Sequence, residues 1–315
     1  MKGLTDIAGI RVGHISDYQA ITGCTAILCE AGAVGGVDIR GSASGTEETP
    51  TLDPLHVDPA VHGILLAGGS AFGLEAASGV RRYLEARGVG MTTPFAKVPI
   101  VPAAILYDLG IGKSDIRPTA AMGEAAAHAA SSDAVAEGSV GAGTGATIGK
   151  ALGMRQAMKG GVGSFTITLS GGVLVASLVA VNAFGDVRDP STGRIVAGAR
   201  KSPGSREFAD AEERLKERPP QALVRTNTTL AVVATNARLN KVEATKLAQF
   251  GSLGMARTIY PVNTTNDGDT LFALSLGGRR ADINTLGMAA AEAVAAAILR
   301  AVKFAKGLAG IPGLG

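Results

Sequence analysis

SFTITLSGGVLVASLVAVNAFGDV, residues 164–187, holds two runs of β-branched and apolar residues joined at Ser170-Gly171-Gly172. Two such runs around a glycine turn predict a β-hairpin. Working outward, HGILLAGG (62–69), TLAVVATN (229–236) and TLFALSLG (270–277) read as further strands. Helical spacing runs through SAFGLEAASGVRRYLEARG (70–88), with Ser70 as the expected cap and Gly88 as the stop. A second helix is expected over 119–131 and a third over 241–258, where Asn240 and Glu243 have the spacing of a capping box. A long Ala-rich helix is expected over 283–307. Strand pairs and apolar helices in separate runs predict an α+β layered sandwich rather than a regular βαβ alternation.

Residues 186–224 are rich in Arg, Glu, Pro and Gly and show little β pattern, with one short charged helix around 205–217. They read as a surface excursion. No linker divides two self-sufficient halves, so a single domain over 1–315 is expected, and no internal repeat is visible.

Composition narrows the function. The chain has 315 residues, 46% hydrophobic, with only 4% aromatic and no Trp, so its core must be built from Ala, Val, Leu and Ile. Its 44 glycines follow no three-residue period, which excludes collagen. A net charge of +3 without a basic run gives little support to nucleic-acid binding and favours a small-molecule or peptide substrate. MKGLTDIAGIRVGH lacks the apolar run of a signal peptide, and Glu292 and Arg300 interrupt the Ala-rich helix, so a soluble, cytoplasmic protein without a membrane partner is expected. Cys24 and Cys29, in CTAILC, should point to opposite faces of a strand and form no disulfide. His14, His56, His62 and His128 show no paired spacing, so no catalytic metal is expected.

GSVGAGTGATIGK (138–150) invites a phosphate-binding reading. It fails the P-loop pattern twice: Thr144 stands where a glycine is required, and Ala151 follows Lys150 in place of Ser or Thr. Gly141-x-Gly143-x-x-Ala146 fits a loose dinucleotide fingerprint, yet no Asp or Glu stands between Gly138 and Asp186 to hold a ribose. A tight turn packing backbone against backbone is the favoured reading, with no cofactor. Lys150 stands in a span, 139–185, without one carboxylate, so it is either exposed or poor in nearby partners.

A conventional serine triad has no support, because GxSxG is absent and no motif ties a histidine to a serine. A threonine that becomes the first residue of a chain needs no histidine. Its own α-amine, with a pKa near ~8, serves as the base. Asn227-Thr228, in RTNTTLAVVATN (225–236), suits such a cut, because a buried strand follows and would hold the new amine still. On local pattern alone, hydroxyls closing a turn before a strand are the plainer reading.

Five co-ordered motifs shift that balance. TNTTLAVVATNARLNKVE, VGAGTGATIGK, VAVNAFGD, LLAGGSAFGLEAASGV and TTNDGDTLFALS together resemble the DmpA-type self-processing peptidase family. That family includes L-aminopeptidase/D-esterases, β-peptidyl aminopeptidases and nylon-oligomer hydrolases. The resemblance implies a four-layer αββα sandwich like that of N-terminal nucleophile hydrolases, and a homotetramer. It implies autocleavage between Asn227 and Thr228 into fragments 1–227 and 228–315, with Thr228 the nucleophile. Asn182 matches the asparagine whose NH₂ faces the oxyanion, and Tyr107 a tyrosine able to donate to the same oxygen. Lys150 matches a catalytic partner, and Asp267 and Asp269 match acidic positions near the nucleophile. Read without the resemblance, NDGDT is a turn or a fragment of a calcium loop.

The departures point to one branch. Aminopeptidase members carry a glutamate two residues before the tyrosine, where this chain has Ile105, and usually have serine where this chain has Thr228 and Asp267. An apolar side chain cannot neutralise a substrate ammonium. The resemblance therefore implies a hydrolase of linear amides of the 6-aminohexanoate-oligomer type. An aminopeptidase of the same family, a self-processing acyltransferase of the ornithine acetyltransferase type and, last, a nucleotide-binding module are the alternatives.

Overall fold

A computed structural model describes residues 2–57, 60–217 and 227–315. Nine strands carry the fold: β1 Arg11–Asp17, β2 Thr22–Ile39, β3 Thr46–Glu47, β4 Val61–Ala67, β5 Ala103–Ile105, β6 Val162–Thr168, β7 Leu174–Asn182, β8 Thr228–Ala237 and β9 Thr270–Arg279. The long β2 belongs to two sheets. Its first half pairs with β1 and β4, its second half with β9, and the register shifts between Leu28 and Ala33. Gly32, at φ +88°, supplies the bend there at little steric cost. One sheet is then β1-β2-β4-β5-β3 and the other β6-β7-β8-β9-β2. Pairing is antiparallel except for β8 with β9 and β4 with β5.

Helices α1 Ala76–Ala86 and α2 Ala120–His128 cover the first sheet, α4 Lys241–Ala256 and α5 Ile283–Lys303 the second, and α3 Ala211–Glu217 lies apart from both pairs. Alternation along the strands builds three apolar cores. Ile64 and Leu66 enter the core between the sheets while Leu65 enters the one under α1 and α2; Val232 faces inward while Val233 meets α4 and α5. The architecture is the four-layer αββα sandwich. It explains why the strands read as nearly continuous apolar runs: both faces of each are covered. Cys24 and Cys29 fall in different cores, buried and unpaired.

The hairpin forms as expected, with Val162 opposite Ala180 and Thr168 opposite Leu174. Asn240 caps α4 through a complete capping box with Glu243, a device worth about 1 kcal/mol. By length and composition α5 could cross a membrane, but here it packs on β6 and β7 beside α4.

Three expectations change. Ser70 is no cap: at φ +55° it opens a 3₁₀ segment, Ser70–Glu75, and α1 begins only at Ala76. The final helix stops at Lys303 rather than 307. The excursion from 186 is more structured than its composition suggests. Asp186–Arg188 pairs with both Ile195–Ala197 and Ile259–Tyr260. The buried Asp186 carboxylate accepts the Ala199 and Ala211 N–H groups at 2.7 Å each, tying down the start of α3. Residues 218–224 of the excursion, and Arg225 and Thr226 of the 225–236 stretch, lie outside the described residues.

Candidate active site

Strand register assembles the site. From Val175 opposite Thr235 the β7–β8 ladder runs without a slip to Asn182 opposite Thr228. On the other side of β8 the parallel ladder aligns Leu230 with Thr270, which places Asp267-Gly268-Asp269 beside Asn227-Thr228-Thr229. Two segments far apart in sequence thus flank Thr228 because three strands have their ends at the same level.

Thr228 is buried, and its hydroxyl donates to the carbonyl oxygen of Asn227. That oxygen also accepts the Gly268 N–H at 2.8 Å. A Cβ at Gly268 would stand 2.8 Å from Thr228 Oγ1 and 2.7 Å from the Ala43 carbonyl oxygen, so only glycine admits the hydroxyl here. Asp269 Oδ1 accepts the Thr229 N–H at 2.5 Å, and Oδ2 accepts that of Asn263 at 2.9 Å. Asp267 Oδ2 accepts the Thr264 hydroxyl at 2.5 Å, and Oδ1 accepts the Phe184 N–H at 3.3 Å. Both carboxylates brace the backbone around Thr228. Burial raises the pKa of each, and the negative charge of Asp267 raises Asp269 further.

Asn182 is fully buried. Its Oδ1 accepts the Thr147 N–H at 2.9 Å and Lys150 Nζ at 2.8 Å, and its Nδ2 donates to the Tyr107 carbonyl at 3.1 Å. These contacts fix the side-chain amide across the ladder from Thr228. Tyr107 thus acts on Asn182 through its backbone, while its half-buried ring lines a cavity of about 180 Å³ with Thr147, Lys150 and Met154. Larger cavities lie elsewhere, one of about 700 Å³ beside Arg238 and Arg280; the small one is set apart by Thr147 and Lys150, which both bond to Asn182.

Lys150 finds its partners outside its own neighbourhood. Nζ also donates to the Asn182 carbonyl at 3.0 Å. Burial lowers its ammonium to about 7, with Asp267 pulling the other way and Lys159 adding to the fall. Sequence reasoning overlooked Thr147, Gly268 and Lys159. Lys159 is fully buried and donates to the Thr144 carbonyl at 2.8 Å and the Ala146 carbonyl at 2.5 Å, fastening the glycine-rich stretch that carries Thr147 and Lys150. A lysine in an apolar context followed by two glycines was the one available signal.

Burial lowers Lys159 to about 7 as well, against the charge of Asp108. Between about pH 7 and 10 the unfolded chain carries a proton on this lysine that the folded chain lacks, so the residue makes stability rise with pH across that window. Lys159→Met should flatten the rise in melting temperature between pH 7 and 9. Parallel curves would contradict the assignment.

The model of peptidase family S58 matches residues 2–314. The chain belongs to peptidase family S58. An uncharacterised aminopeptidase of Mycobacterium leprae is 41% identical, covering 99% of this chain and 93% of that protein. A 6-aminohexanoate-oligomer endohydrolase of Kocuria sp. is 31% identical, covering 95% and 85%. Among solved structures, a β-aminopeptidase of Burkholderia sp. superposes with a TM-score of 0.70 at 24% identity, covering 100% of this chain and 91% of that one. The L-aminopeptidase D-Ala-esterase/amidase of Ochrobactrum anthropi, described as a variant of the Ntn hydrolase fold, gives 0.72 at 20% identity, covering 96% and 86%. These two share the fold. This S58 chain is a hydrolase acting on amide bonds.

Proposed function

We propose that the chain is a self-processing N-terminal-threonine amidase acting on linear amides, including oligomers of the 6-aminohexanoate type. In the first stage Thr228 Oγ1 attacks the Asn227 carbonyl carbon through a five-membered ring, and the peptide nitrogen leaves as the Thr228 α-amine. Water then hydrolyses the resulting ester, releasing the Asn227 carboxylate and restoring the hydroxyl. In the second stage the freed amine takes the proton from Oγ1 as it attacks the substrate carbonyl, and passes it to the departing amine. The Asn182 NH₂ faces the developing oxyanion, and water releases the acyl group. Lys150 holds Asn182 in place and, when charged, disfavours protonation of the Thr228 amine.

The observation that carries this reading is the Thr228 hydroxyl lying against the carbonyl it would attack, with the Gly268 N–H on the same oxygen. That N–H is aimed where the oxyanion of the processing step would form. Gly268→Ala should therefore slow processing by about a hundredfold, since a displaced oxyanion donor costs at least that much. The check is the ratio of one-chain to two-chain protein over time; processing at the wild-type rate would sink the role.

An aminopeptidase reading is favoured by the name of the 41% relative. Against it, Ile105 packs into the core beneath α1 and α2, so that position supplies no carboxylate for a substrate ammonium. Acylating a substrate's amino terminus separates the two: an aminopeptidase loses its turnover, and an amidase of internal bonds keeps it.

A further inference from the structure

The cavity beside Tyr107 and Lys150 shares Gly110, Ile111 and Met154 with a second, outer cavity of about 380 Å³. Met154 lines both, with Lys150 on the inner cavity and Arg155 on the outer. Arg200, 8% exposed, also lines the outer cavity. Its guanidinium donates to three carbonyls, those of Gln156 at 3.3 Å, Arg155 at 2.9 Å and Pro203. A guanidinium has five N–H groups, so carbonyls leave part of its donor capacity unused. No Asp or Glu lines this outer cavity among its described residues, and the exposed Arg155 side chain has no acidic partner among them. Two cations therefore line the outer of two adjoining cavities with no carboxylate beside them among the described residues, and the inner one begins at Lys150 and Tyr107. The inner cavity carries Asp108 as well as Lys150, so the outer lining alone is uniformly positive among the described residues.

We propose that Arg155 and Arg200 bind a carboxylate of the substrate, so that the enzyme selects linear amides that end in a free acid a short distance beyond the scissile bond. The inference rests on the amidase reading above. Paired arginine N–H groups suit a planar carboxylate, and a charge-assisted contact of this kind changes affinity by roughly tenfold or more. The effect belongs in KM, because the carboxylate is the same in ground and transition states.

The test uses the processed enzyme and the linear 6-aminohexanoate trimer, as the free acid and as its C-terminal carboxamide, with cleavage of the internal amides followed by chromatography. The wild type should favour the acid by about tenfold in kcat/KM, carried by KM. Arg155→Met and Arg200→Met should each erase most of that preference by raising KM for the acid, with turnover of the carboxamide unchanged. Arg155→Met removes no side-chain hydrogen bond among the described residues, so it decides the matter even if Arg200→Met fails to fold. Equal use of both forms by the wild type, or a preference that survives in both variants, would overturn this inference alone. No turnover of either form by the wild type would overturn it together with the amidase reading.

Discussion

Replacing Thr228 with alanine leaves one chain of 315 residues and no amide hydrolysis above background. The same hydroxyl would cut the chain and attack the substrate, so one substitution removes both activities. No neighbour can stand in. Thr229 follows on the strand and so points to the opposite face, and Gly268 offers only backbone. Losing the nucleophile of a hydrolase costs about 10⁶-fold in kcat, which places the residual rate below detection. Thr228→Ser keeps a hydroxyl at the same place and should still process and turn over. Intact mass and hydrolysis measured on one preparation check both halves, and an uncut but fully active Thr228→Ala protein would contradict the scheme.

Asn182→Ala is expected to lower kcat by 10²- to 10³-fold, the cost of one preorganised oxyanion donor, about 2.7–4 kcal/mol. Its KM should move little, since the oxygen it serves carries charge only in the transition state. Some stability goes too: the Thr147 N–H loses its acceptor, which costs about 1–3 kcal/mol for a buried group left unpaired, while Lys150 Nζ keeps the main-chain carbonyl of residue 182. Thr147→Val separates the two effects. The main contact from Thr147 to Asn182 Oδ1 is made by its backbone N–H at 2.9 Å, so valine should leave kcat within a fewfold of wild type. A kcat unchanged in folded, processed Asn182→Ala would remove the residue from the oxyanion site.

Much of the fold is legible because its rules are local. The hairpin at 162–182 and the capping box at Asn240 and Glu243 depend on neighbours within a few residues. The errors lie where tertiary contacts override composition. Asp186 reads as the first residue of a polar excursion, yet it is buried because two backbone N–H groups, 13 and 25 residues on, converge on it. Ser70 has the chemistry of a cap but sits at positive φ, a backbone state its residue type does not announce. At the site, Thr228, Asn182, Lys150, Tyr107, Asp267 and Asp269 stand out by resemblance to a known family and not by their spacing. A register across three strands, which no local pattern encodes, brings Thr228, Asn182 and the two aspartates together, and hydrogen bonds to Asn182 add Lys150 and Tyr107. Gly268 and Thr147 escape notice because they act through backbone N–H groups, which every residue but proline possesses.

In the proposed scheme this chain would make its own nucleophile by cutting before Thr228. Intact mass spectrometry of the purified wild-type protein tests it most directly. Two polypeptides are expected, one of them beginning TTLAVV at Thr228 and running to the end of the chain. A single species at 31.6 kDa, hydrolytically active, would contradict it.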